Sequence, residues 1–258
     1  MSVGHLLERW PQVSGRLRCG RKIALFLDFD GTLARLRNLP GEVSLDRRMR
    51  RALAILARNR RFQIWVVSGR RQADIRARIR VPGIRYLGLY GWEGGSVLAA
   101  SALSEEAQRA LVCVKVWSAS LLLNVPGVWI EDKESALAVH YRGAGDAEVR
   151  RARKVVRGVV EPFSQVLKLA VGKKVWEVLP LELQDKGAAV RRELAASRDR
   201  AVPVYVGDDV GDEPAFKELA ARGVTVRVGP PRATKAHFHL DHVGQVRMFL
   251  EKLGSEFA

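Results

Sequence analysis

Short apolar runs alternate with amphipathic stretches in the first third of the chain. Ile23–Phe29 and Phe62–Val67 have the length and the apolar composition of buried strands. Leu45–Arg60 keeps its large apolar residues near one face and arginines elsewhere, which is typical of an amphipathic helix. A second helix is predicted over Gln72–Ile79 and a third strand over Ile84–Leu89. This β-α-β-α-β order predicts a parallel sheet with helical crossovers.

The pattern changes in the middle of the chain. Ser104–Leu123 is predicted to form a longer helix, with Glu105 and Glu106 placed favourably near its positive end. Four predicted strands and a second helix follow, in the order strands 128–131 and 136–141, helix 146–160, strands 165–171 and 174–179. Gly172-Lys173 is expected to form the tight turn between the last two strands. This order predicts a small α+β unit with an antiparallel sheet.

The first pattern then returns in the last third of the chain. The predicted elements there are helix 186–196, strand 203–206, helix 212–221, strand 224–228 and helix 242–253. The sequence therefore predicts an α/β fold with a doubly wound, mostly parallel, Rossmann-like sheet formed by residues 1–103 and 183–258. Residues 104–182 are expected to be a smaller α+β domain inserted into it.

Polar residues follow the predicted strands at the points where the strands end. Because the carboxyl ends of parallel strands meet at one edge of a sheet, these residues can come together there. In chain order they are Asp28, Asp30 and Thr32, then Ser68 and Arg70, then Lys186 at the start of a helix, and finally Asp208, Asp209 and Asp212. Taken singly, each has a plainer explanation as a turn or surface residue.

Asp28 and Asp30 lie two residues apart at the end of the first predicted strand. If the strand continues through them, both side chains point the same way; if it breaks at Asp30, a backbone carbonyl can turn toward the same spot. A plain Asp-Gly turn in solvent is the alternative. Carboxylates gathered at one edge repel each other unless a cation is bound, and Mg²⁺ prefers oxygen ligands from carboxylates, water and phosphate. Either geometry therefore suits one hard cation and one phosphate group.

The complete set of residues resembles the haloacid dehalogenase-like phosphohydrolase superfamily. The motifs that carry the resemblance are Asp28-x-Asp30-Gly31-Thr32, Ser68, Lys186 and Gly207-Asp208-Asp209-x-x-Asp212, in that order. The resemblance implies that Asp28 is a nucleophile that forms an aspartyl-phosphate, and that Asp30 acts first as general acid and then as base. The implied phosphate-binding residues are Thr32, Ser68 and Lys186. The implied Mg²⁺ ligands are Asp28, the Asp30 backbone carbonyl and Asp208, with Asp209 and Asp212 completing or orienting the metal shell.

More specifically, the chain resembles trehalose-6-phosphate phosphatases, in which the inserted domain is a cap that selects the substrate. The matching segments are Ser68-Gly69-Arg70, Gly91-x-Glu93-Gly94, Glu131-Asp132-Lys133, Ala138-Val139-His140-Tyr141-Arg142, Gly172-Lys173-Lys174-Val175-x-Glu177-Val178-x-Pro180 and Asp208-Asp209-x-x-Asp212-Glu213-x-Ala215-Phe216. The resemblance implies contacts with sugar hydroxyls from Glu131, Lys133 and Glu177. Arg70 and Arg142 are further candidates for substrate binding, Arg142 as a secondary contact. Without the resemblance, these residues have a plainer explanation as charges on the surface of strands.

Two positions depart from the family pattern. Gly211 stands where the family usually has threonine, and Tyr90 stands where it has histidine. Neither change removes an acid-base, nucleophilic or metal-binding group, so the departures bear on the sugar more than on the phosphatase chemistry.

The expected function is therefore Mg²⁺-dependent hydrolysis of trehalose 6-phosphate to trehalose and phosphate by a phosphoric monoester hydrolase. Another sugar phosphate is the alternative, such as glucosyl-phosphoglycerate, mannosyl-phosphoglycerate or sucrose phosphate. A remote alternative is a basic nucleic-acid-binding protein that keeps a phosphatase fold without catalysis.

The net charge of +16 is the feature that favours this remote alternative. Residues 1–103 hold 20 Lys and Arg against 7 Asp and Glu, a net charge of +13, concentrated in two arginine-rich helical stretches. No aromatic-interleaved basic loop accompanies them, so a solvated helix face is favoured over nucleic-acid binding.

The composition also bears on the cellular location of the protein, on its cysteines and on its partners. No apolar run approaches the roughly 20 residues of a membrane span, and Met1–Gly20 has no apolar signal region, which predicts a cytoplasmic protein that does not bind membranes. Cys19 and Cys113 have no metal-ligand spacing and are interpreted as ordinary thiols. A small-molecule sugar phosphate is the expected partner, and a monomer is the expected state.

Overall fold

The computed structural model of the protein describes residues 3–37, 40–95, 103–197 and 199–257. The chain divides into two compact units. The first unit consists of Met1–Ala99 and Asp185–Ala258, and the second of Ala100–Gln184.

The described part of the chain forms α-helices and β-strands with the following bounds. The helices are α1 (Trp10–Arg18), α2 (Arg47–Arg58), α3 (Gln72–Ile79), α4 (Glu105–Leu122), α5 (Asp146–Val160), α6 (Lys186–Ala196), α7 (Glu213–Leu219) and α8 (Val243–Glu256). The strands are β1 (Gly4–His5), β2 (Lys22–Leu27), β3 (Phe62–Val67), β4 (Ile84–Leu87), β5 (Trp129–Asp132), β6 (Leu137–His140), β7 (Leu167–Gly172), β8 (Val175–Pro180), β9 (Ala201–Gly207), β10 (Val224–Val228) and β11 (Phe238–Leu240).

The first unit contains a seven-stranded sheet in the order β1-β11-β10-β9-β2-β3-β4. All its strand pairs are parallel, including β2 with β3 and β2 with β9. The second unit contains a four-stranded antiparallel sheet in the order β5-β6-β8-β7. The predicted fold class, an α/β protein with a mostly parallel sheet and a smaller α+β unit, is confirmed.

Strand β2 lies in the interior of the large sheet and is apolar on both faces. Leu25 and Leu27 pack into one core layer with Phe249 of α8, while Phe26 packs into the other layer with Phe216 of α7. The period of two along the strand distributes its side chains between two helical layers. This arrangement explains why the sequence of β2 is a continuous apolar run instead of an alternating one.

The small sheet uses one face for its own core. Trp176 and Val178 of β8 are buried with residues of α4 and α5, such as Leu111 and Val156. Glu177 lies between them in the strand and therefore faces the opposite side of the sheet. Trp176 therefore belongs to the core of this unit.

Side-chain caps define where several helices begin. The Asp46 carboxylate accepts a hydrogen bond from the backbone N–H of Met49 at 2.8 Å, at the start of α2. Ser104 caps α4 in the same way. Such caps satisfy backbone donors that have no partner within the helix.

Of the α-helices and strands given above, β1, α1 and β11 were not predicted from the sequence. Strand β1 has two residues and β11 has three, so their pairing depends on tertiary contacts more than on pattern. The last hairpin turn also differs from the prediction. Gly172 still pairs with Val175, so the turn falls on Lys173 and Lys174, one residue later than predicted. Among the described residues, no helix combines the length and the apolar character needed to cross a membrane.

Candidate active site

Polar residues follow the last residues of three neighbouring strands, at one edge of the large sheet. Strand β2 ends at Leu27, so Asp28 is the first residue beyond it, and its backbone N–H still bonds to the carbonyl of Val206 at 2.9 Å. Ser68 follows the last residue of β3, and Asp208 follows the last residue of β9. The strand therefore ends before both acids, which differs from the two geometries that the sequence left open, a strand continued through both acids or a break at Asp30.

The loop after Asp28 passes close to Asp208. Gly31 has a φ of +85°, a left-handed conformation that glycine adopts without strain. A Cβ atom at this position would also overlap with the Asp208 carboxylate. Gly31 is therefore required both by its backbone conformation and by the space beside that carboxylate.

Three carboxylates meet at this edge. Asp28, Asp208 and Asp212 each offer one oxygen, and these oxygens all lie within 4.8 Å of one another. Asp28 and Asp212 are buried, with relative exposures of 4% and 0%. We call these three residues the carboxylate cluster. Oxygen donors of this kind and spacing fit a hard divalent cation.

Lys186 supplies the positive charge that the cluster needs. Its Nζ donates to Oδ1 of Asp28 and to Oδ1 of Asp212, each at 2.7 Å. Lys186 is the first residue of α6, whose N-terminus is capped by the Asp185 carboxylate through a 2.8 Å bond from the Ala188 N–H. The cap fixes the start of the helix and with it the origin of the lysine side chain.

The protonation of these groups is shifted by burial and by their mutual charges. Burial raises the pKa of the Asp28 carboxyl well above its ordinary value, and Asp212 and Asp208 add to the rise although Lys186 opposes it. Burial alone would lower the pKa of the Lys186 ammonium, but the charges of Asp212 and Asp28 raise it well above its ordinary value. Lys186 is therefore cationic at neutral pH.

Asp212 lies inside the cluster, and the resemblance implied that it completes or orients the metal shell. Its Oδ2 accepts from the backbone N–H of Asp209 at 2.9 Å, while the Asp209 Oδ1 accepts from the N–H of Val210 at 2.7 Å. This capping box forms the short helical turn Val210–Asp212. It directs the Asp209 carboxylate to the backbone and leaves Oδ1 of Asp212 for the lysine.

Tyr205 is a residue of the site that the sequence analysis missed. Its hydroxyl donates to Oδ1 of Asp212 at 2.7 Å, the same oxygen that accepts from Lys186. Tyr205 is fully buried in β9, and burial raises the pKa of its phenol well above the ordinary value, with the charge of Asp212 adding to the rise. A tyrosine inside a buried strand needs a hydrogen-bond partner, and this need was the available signal.

Arg70 binds both carboxylate oxygens of Asp30 through two nitrogen atoms of its guanidinium group. Its Nε donates to Oδ2 of Asp30 at 2.6 Å and its Nη2 to Oδ1 at 2.8 Å, while Nη1 donates to Asp74 at 2.9 Å. The guanidinium also lies 5.6 Å from the ring centre of Phe29. Burial lowers the pKa of Arg70, but its bonds to Asp30 and Asp74 raise it by more. The predicted general acid thus has both oxygens engaged as acceptors.

Two predicted phosphate-binding hydroxyls are buried at the ends of their strands. Ser68 has an exposure of 2%, and its Oγ accepts from the N–H of Arg70 at 3.2 Å. Thr32 is fully buried, and its hydroxyl has no hydrogen-bond partner among the described residues. A buried hydroxyl without a partner is costly, so a ligand or water would stabilise it.

The two departures from the family pattern have different surroundings. Tyr90 lies against the Ser68-Gly69-Arg70 loop, with its N–H bonded to the Ser68 carbonyl at 2.9 Å and its ring close to Gly69. A Cβ atom on Gly211 would meet nothing within 4 Å. Tyr90 is therefore part of the packing of a site loop, whereas position 211 has room for a side chain.

The second unit holds the predicted sugar-binding residues. Lys133 Nζ donates to Oε1 of Glu177 at 2.6 Å, and both side chains are buried. Glu131 and Glu177 both pair with Ala138 across neighbouring strands, so they lie in one row on the sheet face opposite to the core. The charged side chains on either side of the small residue Ala138 can form hydrogen bonds with the hydroxyl groups of a ligand.

Two further residues of this unit have partners of their own. The Glu131 carboxylate lies 2.8 Å from Nε2 of His140, whose ring stacks on Trp129 at 3.9 Å between ring centres. Arg142 donates to the backbone carbonyl of Lys173 at 3.0 Å, across the hairpin turn. A structural role thus explains the observed contacts of Arg142, and its assignment to substrate binding stays a prediction.

Comparison with known proteins identifies the family. A family model described as trehalose-phosphatase matches residues 26–243. A probable trehalose-phosphate phosphatase 9 from rice (Oryza sativa subsp. japonica) is 31% identical over 96% of this chain and 75% of its own length. A trehalose-phosphate phosphatase from Mycobacterium ulcerans is 32% identical over 91% of this chain, which spans only 62% of that relative.

Solved structures show the same fold. The C-terminal domain of a trehalose-6-phosphate phosphatase from C. albicans superimposes with a TM-score of 0.81 at 22% identity, covering 98% of each chain. A haloacid dehalogenase-like hydrolase from Bacteroides thetaiotaomicron superimposes with a TM-score of 0.62 at 14% identity, over 90% of this chain and 99% of its own. The match of the family model and the identity to these relatives show that the chain belongs to the trehalose-phosphatase family of phosphoric monoester hydrolases, and the solved structures show that it has a haloacid dehalogenase-like fold.

Proposed function

We propose that the protein is a Mg²⁺-dependent phosphatase that hydrolyses trehalose 6-phosphate to trehalose and phosphate through an aspartyl-phosphate on Asp28. The observation that carries the proposal is the carboxylate cluster with Lys186 bonded to Asp28 and Asp212 at 2.7 Å. The names of the relatives support the choice of substrate.

The cluster supports the assignment of the metal. Its three carboxylates provide hard oxygen donors that suit Mg²⁺ better than softer metals, which prefer nitrogen or sulfur. We assign Asp28, Asp208 and Asp212 as its candidate side-chain ligands, in addition to the backbone carbonyl of Asp30. When bound, Mg²⁺ would supply Lewis-acid stabilisation of the negative charge on the phosphate.

Asp28 is the proposed nucleophile. Its carboxylate oxygen attacks phosphorus, the bond from phosphorus to the sugar oxygen breaks, and an acyl phosphate forms on Asp28. Lys186 neutralises negative charge beside Asp28 so that an anionic nucleophile can approach an anionic phosphate. In the second step, water attacks phosphorus and the bond from phosphorus to Asp28 breaks, which releases phosphate and restores the carboxylate.

Asp30 is the proposed proton carrier for both steps. It would give a proton to the departing sugar oxygen and later take one from the attacking water. Both of its oxygens accept from Arg70, and the second lone pair of each oxygen can hold the transferred proton. The bidentate contact gives Arg70 a proposed role in orienting the Asp30 carboxyl group, besides any contact with substrate.

The residues that are proposed to bind the sugar lie in the second unit. Glu131, Lys133 and Glu177 offer charged hydrogen-bond partners on one sheet face, and sugar hydroxyls are both donors and acceptors. A site built from such bonds rejects a sugar that lacks the matching hydroxyl, because its buried charged groups would be left without partners.

The test is phosphate release from trehalose 6-phosphate, compared with a panel of sucrose phosphate, glucosyl-phosphoglycerate, mannosyl-phosphoglycerate and glucose 6-phosphate, with Mg²⁺ and with chelator. The proposal expects the highest kcat/KM for trehalose 6-phosphate and no turnover with chelator. Equal turnover of unrelated sugar phosphates would refute the assigned substrate while leaving the phosphatase chemistry. A cytoplasmic location, a monomeric state and indifference to nucleic acid stay predictions from the sequence.

A further inference from the structure

A cavity in the first unit lies beside the edge strand β4. Its volume is about 640 Å³, and its lining includes residues of α3, of the turn that follows and of β4. Its lining includes Arg76, Arg80 and Arg85, together with Gln72 and Tyr86. Neither the carboxylate cluster nor Lys186 is part of the lining.

The arginines of this region fall into two groups. Arg70, Arg71 and Arg78 each bond to a carboxylate of the protein, at 2.6 to 3.2 Å. No carboxylate partner is found among the described residues for Arg76, Arg80 or Arg85. Arg76, Arg80 and Arg85 all line the cavity.

Two of these side chains are held in place by contacts that leave their charge uncompensated. The Arg85 guanidinium lies 4.8 Å from the ring centre of Trp65. Arg80 ends α3 with a φ of 52°, and its Nε donates to the carbonyl of Ala77 at 2.7 Å. These contacts use one face of one guanidinium and one N–H of the other, so most donors remain for a ligand.

We propose that this cavity binds a small anion with two or more phosphate groups, either an inorganic or a nucleoside polyphosphate. Guanidinium groups bind phosphate oxygens through paired N–H donors, and three of them balance several negative charges. The volume of about 640 Å³ is that of a site for a small molecule. A single neutral or monoanionic ligand would leave at least two of the three positive charges without compensation.

The site also accounts for part of a feature that the phosphatase reaction leaves unexplained. Residues 1–103 carry a net charge of +13, and this charge includes the three arginines of the cavity. The inference does not depend on the proposed function, because the cavity shares no residue with the catalytic cluster.

The test is isothermal titration calorimetry with inorganic tripolyphosphate, ATP and orthophosphate on three proteins. They are the unaltered chain, an Arg76→Gln/Arg80→Gln/Arg85→Gln variant, and an Arg47→Gln/Arg48→Gln/Arg51→Gln variant. The last is a matched control, since it removes the same charge from exposed arginines of α2 outside the cavity.

We expect tripolyphosphate and ATP to bind the unaltered chain more tightly than orthophosphate does. The cavity variant should lose affinity by about 100-fold or more, since each charge-assisted bond contributes about tenfold or more. The control variant should stay within about threefold, and both variants should keep the turnover of the unaltered chain. A higher affinity for ATP than for tripolyphosphate would identify the nucleoside as part of the ligand.

Three outcomes would overturn the proposal. They are no binding of tripolyphosphate, an equal loss of affinity in both variants, or an affinity for orthophosphate equal to that for tripolyphosphate. Binding of a duplex DNA oligonucleotide with the same dependence on the three cavity arginines would assign the surface to nucleic acid instead.

Discussion

Replacing Lys186 by methionine removes the positive charge at the centre of the carboxylate cluster while keeping a side chain of similar length. The ammonium lies 2.7 Å from Asp28 and 2.7 Å from Asp212. At an effective dielectric constant of about 20, each of these contacts has a gross attraction of about 6 kcal/mol. Desolvation of the buried charges offsets most of this attraction, so the gross value overstates the effect.

The expected cost follows from what the substitution leaves behind. Removing one partner of a buried ion pair typically destabilises a protein by about 3–5 kcal/mol, because the remaining charge is uncompensated. Here two buried carboxylates lose the same partner. For a chain of this size, such a loss lowers the melting temperature by roughly 10 °C.

The effect depends on pH with a definite sign. Without Lys186, nothing opposes the rise that burial causes in the pKa of Asp28, so this carboxyl takes up a proton more readily in the folded than in the unfolded state, and lowering the pH stabilises the variant relative to the parent. The raised pKa of Asp28 in the parent shows that burial already favours this direction. The difference between the two proteins should therefore be largest near neutral pH and shrink toward about pH 5.

The assay is thermal and urea unfolding in chelator across this pH range, then with added Mg²⁺, which should narrow the difference by binding the freed carboxylates. The matched control is Lys217→Met, an exposed lysine of α7 in the same unit. A loss below about 1 kcal/mol at neutral pH, or a loss that does not change with pH, would refute the electrostatic reasoning.

Three further substitutions test separate contacts. Tyr205→Phe removes one hydrogen-bond donor to Asp212 and should weaken Mg²⁺ binding about 10–100-fold with the fold intact. The Mg²⁺ dependence of turnover measures this effect, and an unchanged dependence would assign Tyr205 to packing alone. Glu177→Gln breaks a buried ion pair with Lys133 and should raise KM for trehalose 6-phosphate while hydrolysis of p-nitrophenyl phosphate persists; equal loss with both substrates would contradict a role in sugar binding. The side chain introduced by Gly211→Thr meets open space, so turnover should stay within about twofold and stability should change by no more than about 1 kcal/mol. A large loss of turnover or stability would show that the backbone conformation at position 211 requires glycine.

The sequence was sufficient to predict the parallel sheet and the edge where polar residues gather. The apolar run of β2 and the acids that follow it are local features, and parallel topology then brings the strand ends together. Helices α3, α5 and α6 and strands β3 and β10 have the predicted bounds, because their ends coincide with changes in the local pattern.

The finer arrangement of the site depends on contacts between distant residues. Lys186 and Asp28 are 158 positions apart. Parallel topology allowed them to meet at one edge and the family resemblance placed them in one site, but neither predicted the bond between them. The bond from Tyr205 to Asp212 and the bidentate hold of Arg70 on Asp30 depend on the exact path of two loops. Pattern and composition do not determine such paths.

In the proposed reaction, Asp28 becomes phosphorylated during turnover. This phosphorylation can be measured by rapid acid quench of the protein mixed with trehalose 6-phosphate and Mg²⁺, followed by mass spectrometry of the peptide that contains Asp28. We expect one added phosphoryl group on Asp28 in the first turnovers, and neither this adduct nor phosphate release in Asp28→Asn. Phosphate release at the normal rate from Asp28→Asn, or an adduct on another residue, would contradict it.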